Sequence, residues 1–305
     1  MKDNKEIQVS KEQQPQQPTD PKAPKRKKKR KKVSAFSTVI LLLIFLVGLS
    51  VMLYPTVSNW WNSRVQSRAI AKYDDFVASL SDQDYDEYFA AADEYNKRLF
   101  ETPSAFMTPE VVEGYQETLN VTGTGVMGYI TIEKIDVALP IYHSTDESVL
   151  QIAAGHLEGT SLPVGGENTH CTISAHRGLP SAKLFTDLDQ LEEGDTFYIT
   201  VLNRTLTYEI DQIHIVEPSE LDDLRIAPGG DYCTLMTCTP YGINSHRMLI
   251  RGKRIETPTD ALRRPVVADA KRIETVVVLP FVVIPLLIIV MIIVIVHSHR
   301  KKKRR

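Results

Sequence analysis

Tyr232-Cys233-Thr234-Leu235-Met236-Thr237-Cys238, then Thr239-Pro240-Tyr241-Gly242-Ile243-Asn244-Ser245, then His246-Arg247-Met248-Leu249-Ile250-Arg251-Gly252: this stretch reads as strand, loop and strand. Successive side chains of a strand point to opposite faces. Cys233 and Leu235 share one face, which is apolar and marks the core. Thr234, Met236 and Cys238 share the other, with Cys238 at the strand's end on a mixed face. The Pro, Gly and Asn that follow are turn formers and place a loop directly after the cysteine. In the second run Arg247, Leu249 and Arg251 alternate with His246, Met248 and Ile250, which turns Arg247 toward a polar groove.

The same β-branched and aromatic texture begins upstream at Gly128. Runs at 129–132, 137–142, 171–175, 196–201 and 206–213 precede those at 232–237 and 248–255, so about seven short strands are expected. At that density the expected class is mainly β, a closed or nearly closed antiparallel structure with short helices at 148–154 and 182–191. Before it, Ile70, Tyr73, Phe76 and Leu80, then Tyr85, Tyr88, Phe89, Ala92, Tyr95 and Leu99, recur at helical spacing, which predicts helix over 64–100 in one or two pieces. Pro103, Pro109 and several Gly and Thr make 101–127 an irregular connector. The chain holds no internal repeat and no Gly-rich phosphate loop.

Two segments are set apart from that core. Residues 33–63 carry no charged side chain, and neither do 275–296. About 20 apolar residues cross a hydrocarbon core of ~30 Å as a helix. Lys-Arg-Lys-Lys-Lys-Arg-Lys-Lys at 25–32 precedes the first run, and Arg-Lys-Lys-Lys-Arg-Arg at 300–305 follows the second. The positive-inside rule puts both clusters in the cytoplasm and the intervening segment on the extracellular face of a two-pass membrane protein. A cleaved signal peptide is the rival reading of the N-terminus. The apolar run is long for one, and Tyr54-Pro55-Thr56-Val57 offers no small-residue cleavage pattern. The layout expected is a disordered basic tail at 1–32, a span at 33–54, a helical and lid-like region at 64–127, a barrel at 128–256, a linker at 257–274, a span at 275–296 and a basic tail at 297–305.

The chain's 36 basic and 38 acidic side chains nearly cancel, but not evenly: residues 55–275 hold 18 basic and 34 acidic, a net of −16. A segment so acidic is no nucleic-acid binder, because phosphate contacts need positive surface. The basic runs flank apolar spans and are expected to meet the lipid bilayer.

Three cysteines are too few for a disulfide framework, and an odd number leaves at least one free thiol. Cys171, Ile173 and Ala175 alternate with Thr172, Ser174 and His176, so Cys171 reads as core and His176 as a polar strand-end residue. Metal binding by His170, Cys171 and His176 is disfavoured by that parity and by the lack of a paired ligand motif. A thiol near pKa 8.5 needs positive charge beside it to become a nucleophile at neutral pH. A histidine can give a proton to a leaving amine. An arginine stays protonated and can hydrogen-bond a carbonyl oxygen that gains charge. Cys238, His176 and Arg247 at adjacent strand ends would together suit acyl transfer.

The stretch 234–252 resembles the active-site segment of sortases, Thr-Leu-x-Thr-Cys with Arg some nine residues later. Ser174-Ala175-His176-Arg177-Gly178 resembles the family's histidine motif, and Gly155-His156-Leu157-Glu158-Gly159-Thr160-Ser161-Leu162-Pro163 is similar to the segment before it. The likeness runs from about Gly128 to Ile255. It implies a sortase-type barrel, with Cys238 as nucleophile, His176 as acid and base, Arg247 as oxyanion and substrate stabiliser, and Thr234, Leu235 and Thr237 at the substrate. The Cys-Thr-Pro-Tyr-Gly-Ile-Asn run, the helical segment before the barrel and the second span resemble class C, the pilin-polymerising sortases. Such enzymes commonly carry a lid with an Asp-Pro-aromatic motif. Residues 101–127 hold no such tripeptide, which leaves Phe106 or Met107 as the candidates to fill the groove.

The function expected from the resemblance is a cysteine transpeptidase at a Gram-positive cell surface. It would cleave an LPXTG-like sorting signal on an exported pilin or surface protein through a thioacyl-enzyme, and join it to a pilin lysine. The thioester keeps the energy of the amide, so no cofactor, nucleotide or metal is called for. The alternatives are a housekeeping sortase that uses a peptidoglycan amine, and a non-catalytic membrane scaffold.

Overall fold

The computed structural model describes residues 35–258; the apolar run at 275–296 and both basic clusters lie outside the described residues. The first helix, α1, spans Ala35–Val77. Ile40–Val77 is long and apolar enough to cross a membrane, with a mean hydropathy of 2.5 in its most apolar stretch, none of it buried by protein. The chain divides into two compact units at Val47 and Gly48, so the rest of α1 belongs to the unit that contains the barrel.

The helical period read over 64–100 is interrupted once. Ser79 and Leu80 turn the chain, and Ser81 caps α2, Asp82–Glu101. The Ser81 hydroxyl accepts from the Asp84 N–H at 3.3 Å while the Asp84 carboxylate accepts from the Ser81 N–H at 2.7 Å, a reciprocal cap that starts the new helix. Phe89, Ala92, Tyr95, Asn96 and Leu99 form its buried stripe. Asn96 is fully paired there: its amide donates to the Leu162 carbonyl at 3.2 Å and its oxygen accepts from the Leu162 N–H at 2.7 Å. Tyr73 of α1 likewise donates to the Met127 carbonyl at 3.0 Å and accepts from the Leu202 N–H at 2.9 Å. Buried polar groups cost free energy unless paired, and these pairings fix both helices on the barrel.

The strands are β1 Val126–Ile132, β2 Val137–Tyr142, β3 Ala154–His156, β4 Thr169–Ser174, β5 Thr196–Val201, β6 Arg204–Val216, β7 Asp231–Thr239 and β8 His246–Ile255. They close into a barrel in the order β1-β2-β3-β4-β7-β8-β6-β5, with β5 returning to β1. Ile130, Ile132, Ile141, Ile173, Phe197, Ile199, Val201, Leu235 and Ile250 are all fully buried inside. The closed, mainly β fold expected from the strand density is therefore present. Its pairing is not all antiparallel, for β2 with β3 and β4 with β7 run parallel. The eighth strand, β3, was hidden by its length. Three residues carry no readable alternation, and the expected helix at 148–154 ends early, as α3, Glu147–Leu150. The helix expected at 182–191 reduces to a 3-10 turn at Leu188–Gln190. Tertiary partners take its backbone groups: Asn59 accepts from the Lys183 N–H at 2.7 Å, and the His176 carbonyl accepts from the Phe185 N–H at 3.1 Å. Leu184 also sits at φ 42°, outside helical geometry.

Gly252 marks a tight point of the barrel wall. A Cβ there would meet Phe197 Cε1 at 2.6 Å and Tyr208 Cβ at 2.7 Å, in a place where those two rings already stack at 5.5 Å. The interior is close-packed and yields only with strain. Gly252→Ala is expected to lower stability by about 1–3 kcal/mol, read as a lower urea midpoint with an unchanged slope.

Candidate active site

The parallel register of β4 and β7 pairs Cys171 with Cys233 and Ser174 with Met236. His176 lies two residues beyond Ser174, and Cys238 two beyond Met236. Continued two residues further, that register sets them level, with His176 just past the end of β4 and Cys238 still within β7. The antiparallel register of β7 and β8 pairs Cys238 with Arg247 directly. Side chains at paired positions lie on one face with Cβ atoms about 4.5–5.5 Å apart. Register alone therefore brings His176, Cys238 and Arg247 to one end of the barrel.

Their surroundings differ in useful ways. Cys238 is half-buried, with a free thiol, whereas Cys171 and Cys233 are free and buried in the core. Burial pushes the Cys233 thiol well above its ordinary pKa, which keeps it protonated and inert. His176 is hydrogen-bonded through Nε2 to Glu147, the first residue of α3, at 3.4 Å. The Gln151 amide and then the His176 ring hold the Glu147 carboxyl below its usual range. Arg247 donates weakly to the His246 carbonyl at 3.4 Å and has no acidic partner among the described residues. Its remaining donors are available to an incoming carbonyl. Among the described residues no cluster of three or more His, Cys, Asp or Glu side chains could hold a metal ion.

Thr234, Leu235 and Thr237 lie under this site rather than open to it, at 1%, 0% and 2% exposure. Leu235 points into the core. Thr237 donates to the Ala175 carbonyl at 2.8 Å, and Thr234 is bonded to His170 Nε2 at 2.7 Å. The polar face read for β4 is covered as well: Thr172 is fully buried, and Ser174 nearly so. Residues 157–161 pair along the edge of β4 there, with the Leu157 N–H on the Thr172 carbonyl and the Ser161 N–H on the His170 carbonyl, both at 2.9 Å. Phe106 ends a 3-10 turn, Pro103–Phe106, and stacks against the Arg225 guanidinium at 5.0 Å, on the connection between β6 and β7. Met107 is 65% exposed and fills no groove.

Two neighbours of the site carried no signal of their own in the sequence. Glu147 stands 29 residues before His176, at a distance no local pattern spans. His156 is a fully buried histidine with a structural role. Its Nε2 faces the Ser161 carbonyl at 2.8 Å and so carries the proton, which leaves Nδ1 to accept from the Tyr115 hydroxyl at 2.9 Å.

The Sortase domain family matches residues 130–255. Sortase C1 of Streptococcus agalactiae is 47% identical, with a TM-score of 0.58 over 63% of this chain and 100% of that one. The X-ray structure of Clostridium perfringens sortase C with the C-terminal cell wall sorting motif is 42% identical, with a TM-score of 0.55 over 62% and 99% of the two chains. A curated relative, Sortase A of Streptococcus agalactiae serotype III (strain NEM316), is 28% identical over 143 residues, 46% of this chain and 56% of the relative. The chain thus spans less than two thirds of the length of the curated relatives it matches. It belongs to the sortase family. The solved structures it resembles at 38–47% identity are class C sortases.

The bond from Thr237 to Ala175 holds the residue before His176 to the residue before Cys238. Thr237→Val keeps the shape but strands a buried carbonyl, at a cost of about 1–3 kcal/mol. The expected result is a lower urea midpoint, together with faster amide exchange at residues 175–177.

Proposed function

We propose that this chain is a cysteine transpeptidase that joins exported polypeptides, with Cys238, His176 and Arg247 as its catalytic residues. The observation that carries the reading is register: three side chains of complementary chemistry end adjacent strands at one level. The Cys238 thiolate attacks the Thr–Gly carbonyl of an LPXTG-like signal. The oxygen takes up the negative charge and is hydrogen-bonded by Arg247. As the C–N bond breaks, His176 gives its proton to the leaving amine, and a thioacyl-enzyme remains. An amine then attacks the thioester and loses a proton to His176, and the Cys238 thiolate leaves. Thr234, Leu235 and Thr237 serve by supporting the floor beneath this site.

The acceptor is a pilin lysine, so the product is an isopeptide-linked polymer. The class C likenesses support this choice, and one of them holds a sorting motif. The curated relatives, each a Sortase A, favour a second reading in which a peptidoglycan amine is the acceptor. The N-terminal helix anchors the chain, and the acidic barrel works on the outer face, with both ends of the chain in the cytoplasm.

Intact-mass measurement of the protein mixed with LPXTG-like peptides should show an acyl adduct on Cys238. Cys238→Ala should form none, and Arg247→Ala should form it ~100-fold more slowly or worse. An adduct that persists in Cys238→Ala removes the assignment. In cells that lack the enzyme, pilin subunits that are anchored but unpolymerised favour the lysine acceptor, and loss of anchoring favours the wall amine.

A further inference from the structure

The ladder that aligns β4 with β7 stops short of the two reacting side chains. Its last backbone hydrogen bond runs from the Ala175 N–H to the Met236 carbonyl at 3.2 Å. Beyond it the segments 176–178 and 238–241 have no backbone hydrogen bond to each other among the described residues. A proton passed between His176 and a group on Cys238 needs their separation held to a fraction of an ångström. Something other than the ladder must hold it.

Arg177 stands at that place. It follows His176 directly, and its side chain is only 8% exposed. The guanidinium is ion-paired with Asp189, which fixes it from the far side. It donates to the Thr239 hydroxyl at 3.4 Å and lies 5.9 Å from the centre of the Tyr241 ring. Its Nε has no partner among the described residues, so the fork is not fully used by Asp189. Gly178, at φ +75°, brings the same loop so close to Tyr241 that a Cβ would lie 3.1 Å from the ring's Cε2. The residues just after His176 are thus clipped to the residues just after Cys238 by one charged fork and one aromatic face. Tyr241 is 60% exposed, so this ring is not held by the core. Its ordered neighbours here are Arg177 and Gly178.

We propose that Arg177 and Tyr241 are positioning residues that set the distance between His176 and Cys238. This rests on the reading of Cys238 as nucleophile and His176 as acid. Neither Arg177 nor Tyr241 touches the reacting atoms. The clip acts by closing the gap that the parallel ladder leaves open, and an arginine suits the task because its flat fork can bond on one edge and stack on its face.

The test follows acyl-adduct formation on Cys238 by timed acid quench and intact mass, using full-length protein in detergent across a range of LPXTG-like peptide concentrations. Arg177→Gln is expected to lower the maximal rate at least tenfold, with the half-saturating peptide concentration changed less than threefold. Tyr241→Ala should act in the same direction, and Tyr241→Phe, which keeps the ring, should recover most of its loss. The double variant Arg177→Gln, Tyr241→Ala should be no slower than the slower single one, because the two residues act as a unit. If Arg177→Gln does not fold, the exposed Tyr241 pair of variants decides. Maximal rates within twofold of the parent, losses that multiply in the double variant, or a change confined to half-saturation would each overturn the proposal. A parent protein that forms no adduct on Cys238 would instead remove the transpeptidase reading itself.

Discussion

The parallel pairing of β4 with β7 is the constraint on which the rest of the molecule depends. Parallel strands bring their C-terminal ends to the same end of a barrel, and that is why His176 and Cys238 lie at the same end. Had the two strands run antiparallel, the histidine would sit at the opposite end from the thiol. A parallel pair cannot be closed by a tight turn and needs a long crossover. Here β5 and β6 fill that crossover and complete the wall on the other side of β8. The β7–β8 hairpin then returns the chain to the same end, so Arg247 enters beside Cys238 at the start of its strand rather than at its finish.

Around this pairing the molecule sorts its thiols and its charges by depth. Cys171 and Cys233 face the sealed interior, where burial holds the Cys233 thiol protonated, and only Cys238 is placed at a boundary with water. The arginines divide in the same manner. Arg177 and Arg251 are tied to Asp189 and Asp211, whereas Arg247 has no acidic partner among the described residues. Several buried polar groups are paired instead: Asn96 on Leu162, Tyr73 between the Met127 carbonyl and the Leu202 N–H, and His156 between Tyr115 and Ser161.

Much of this was legible in the residues themselves, and what was not has identifiable causes. Alternation in 171–176 and 232–238 assigned the buried cysteines and the strand-end residues, because burial on an inward face requires period two. It overstated the polarity of the outer face. Thr172 and Ser174 look solvent-facing by pattern, yet both are buried, with residues 157–161 paired along the edge of β4. The same limit explains Leu235 and Thr237, where motif membership suggested contact with substrate and the fold buries both. Strand direction was invisible as well, since no local pattern states whether a neighbour 60 positions away runs with or against a strand. Short elements failed for want of residues: β3 has three, and the Leu188–Gln190 turn is what remains of a helical pattern whose backbone found partners elsewhere.

The barrel closes through every strand, from β1 round to β5 and back. Closure removes the free rows of N–H and C=O groups with which open sheets recruit guests by adding a strand. Closure is thin at β3, which pairs with β2 and with β4 at two positions each, and Val137–Pro140 of β2 are laddered to β1 alone. Residues of the 217–230 connection lie outside the strands, so substitutions there leave the ladder that sets Cys238 opposite Arg247 in place.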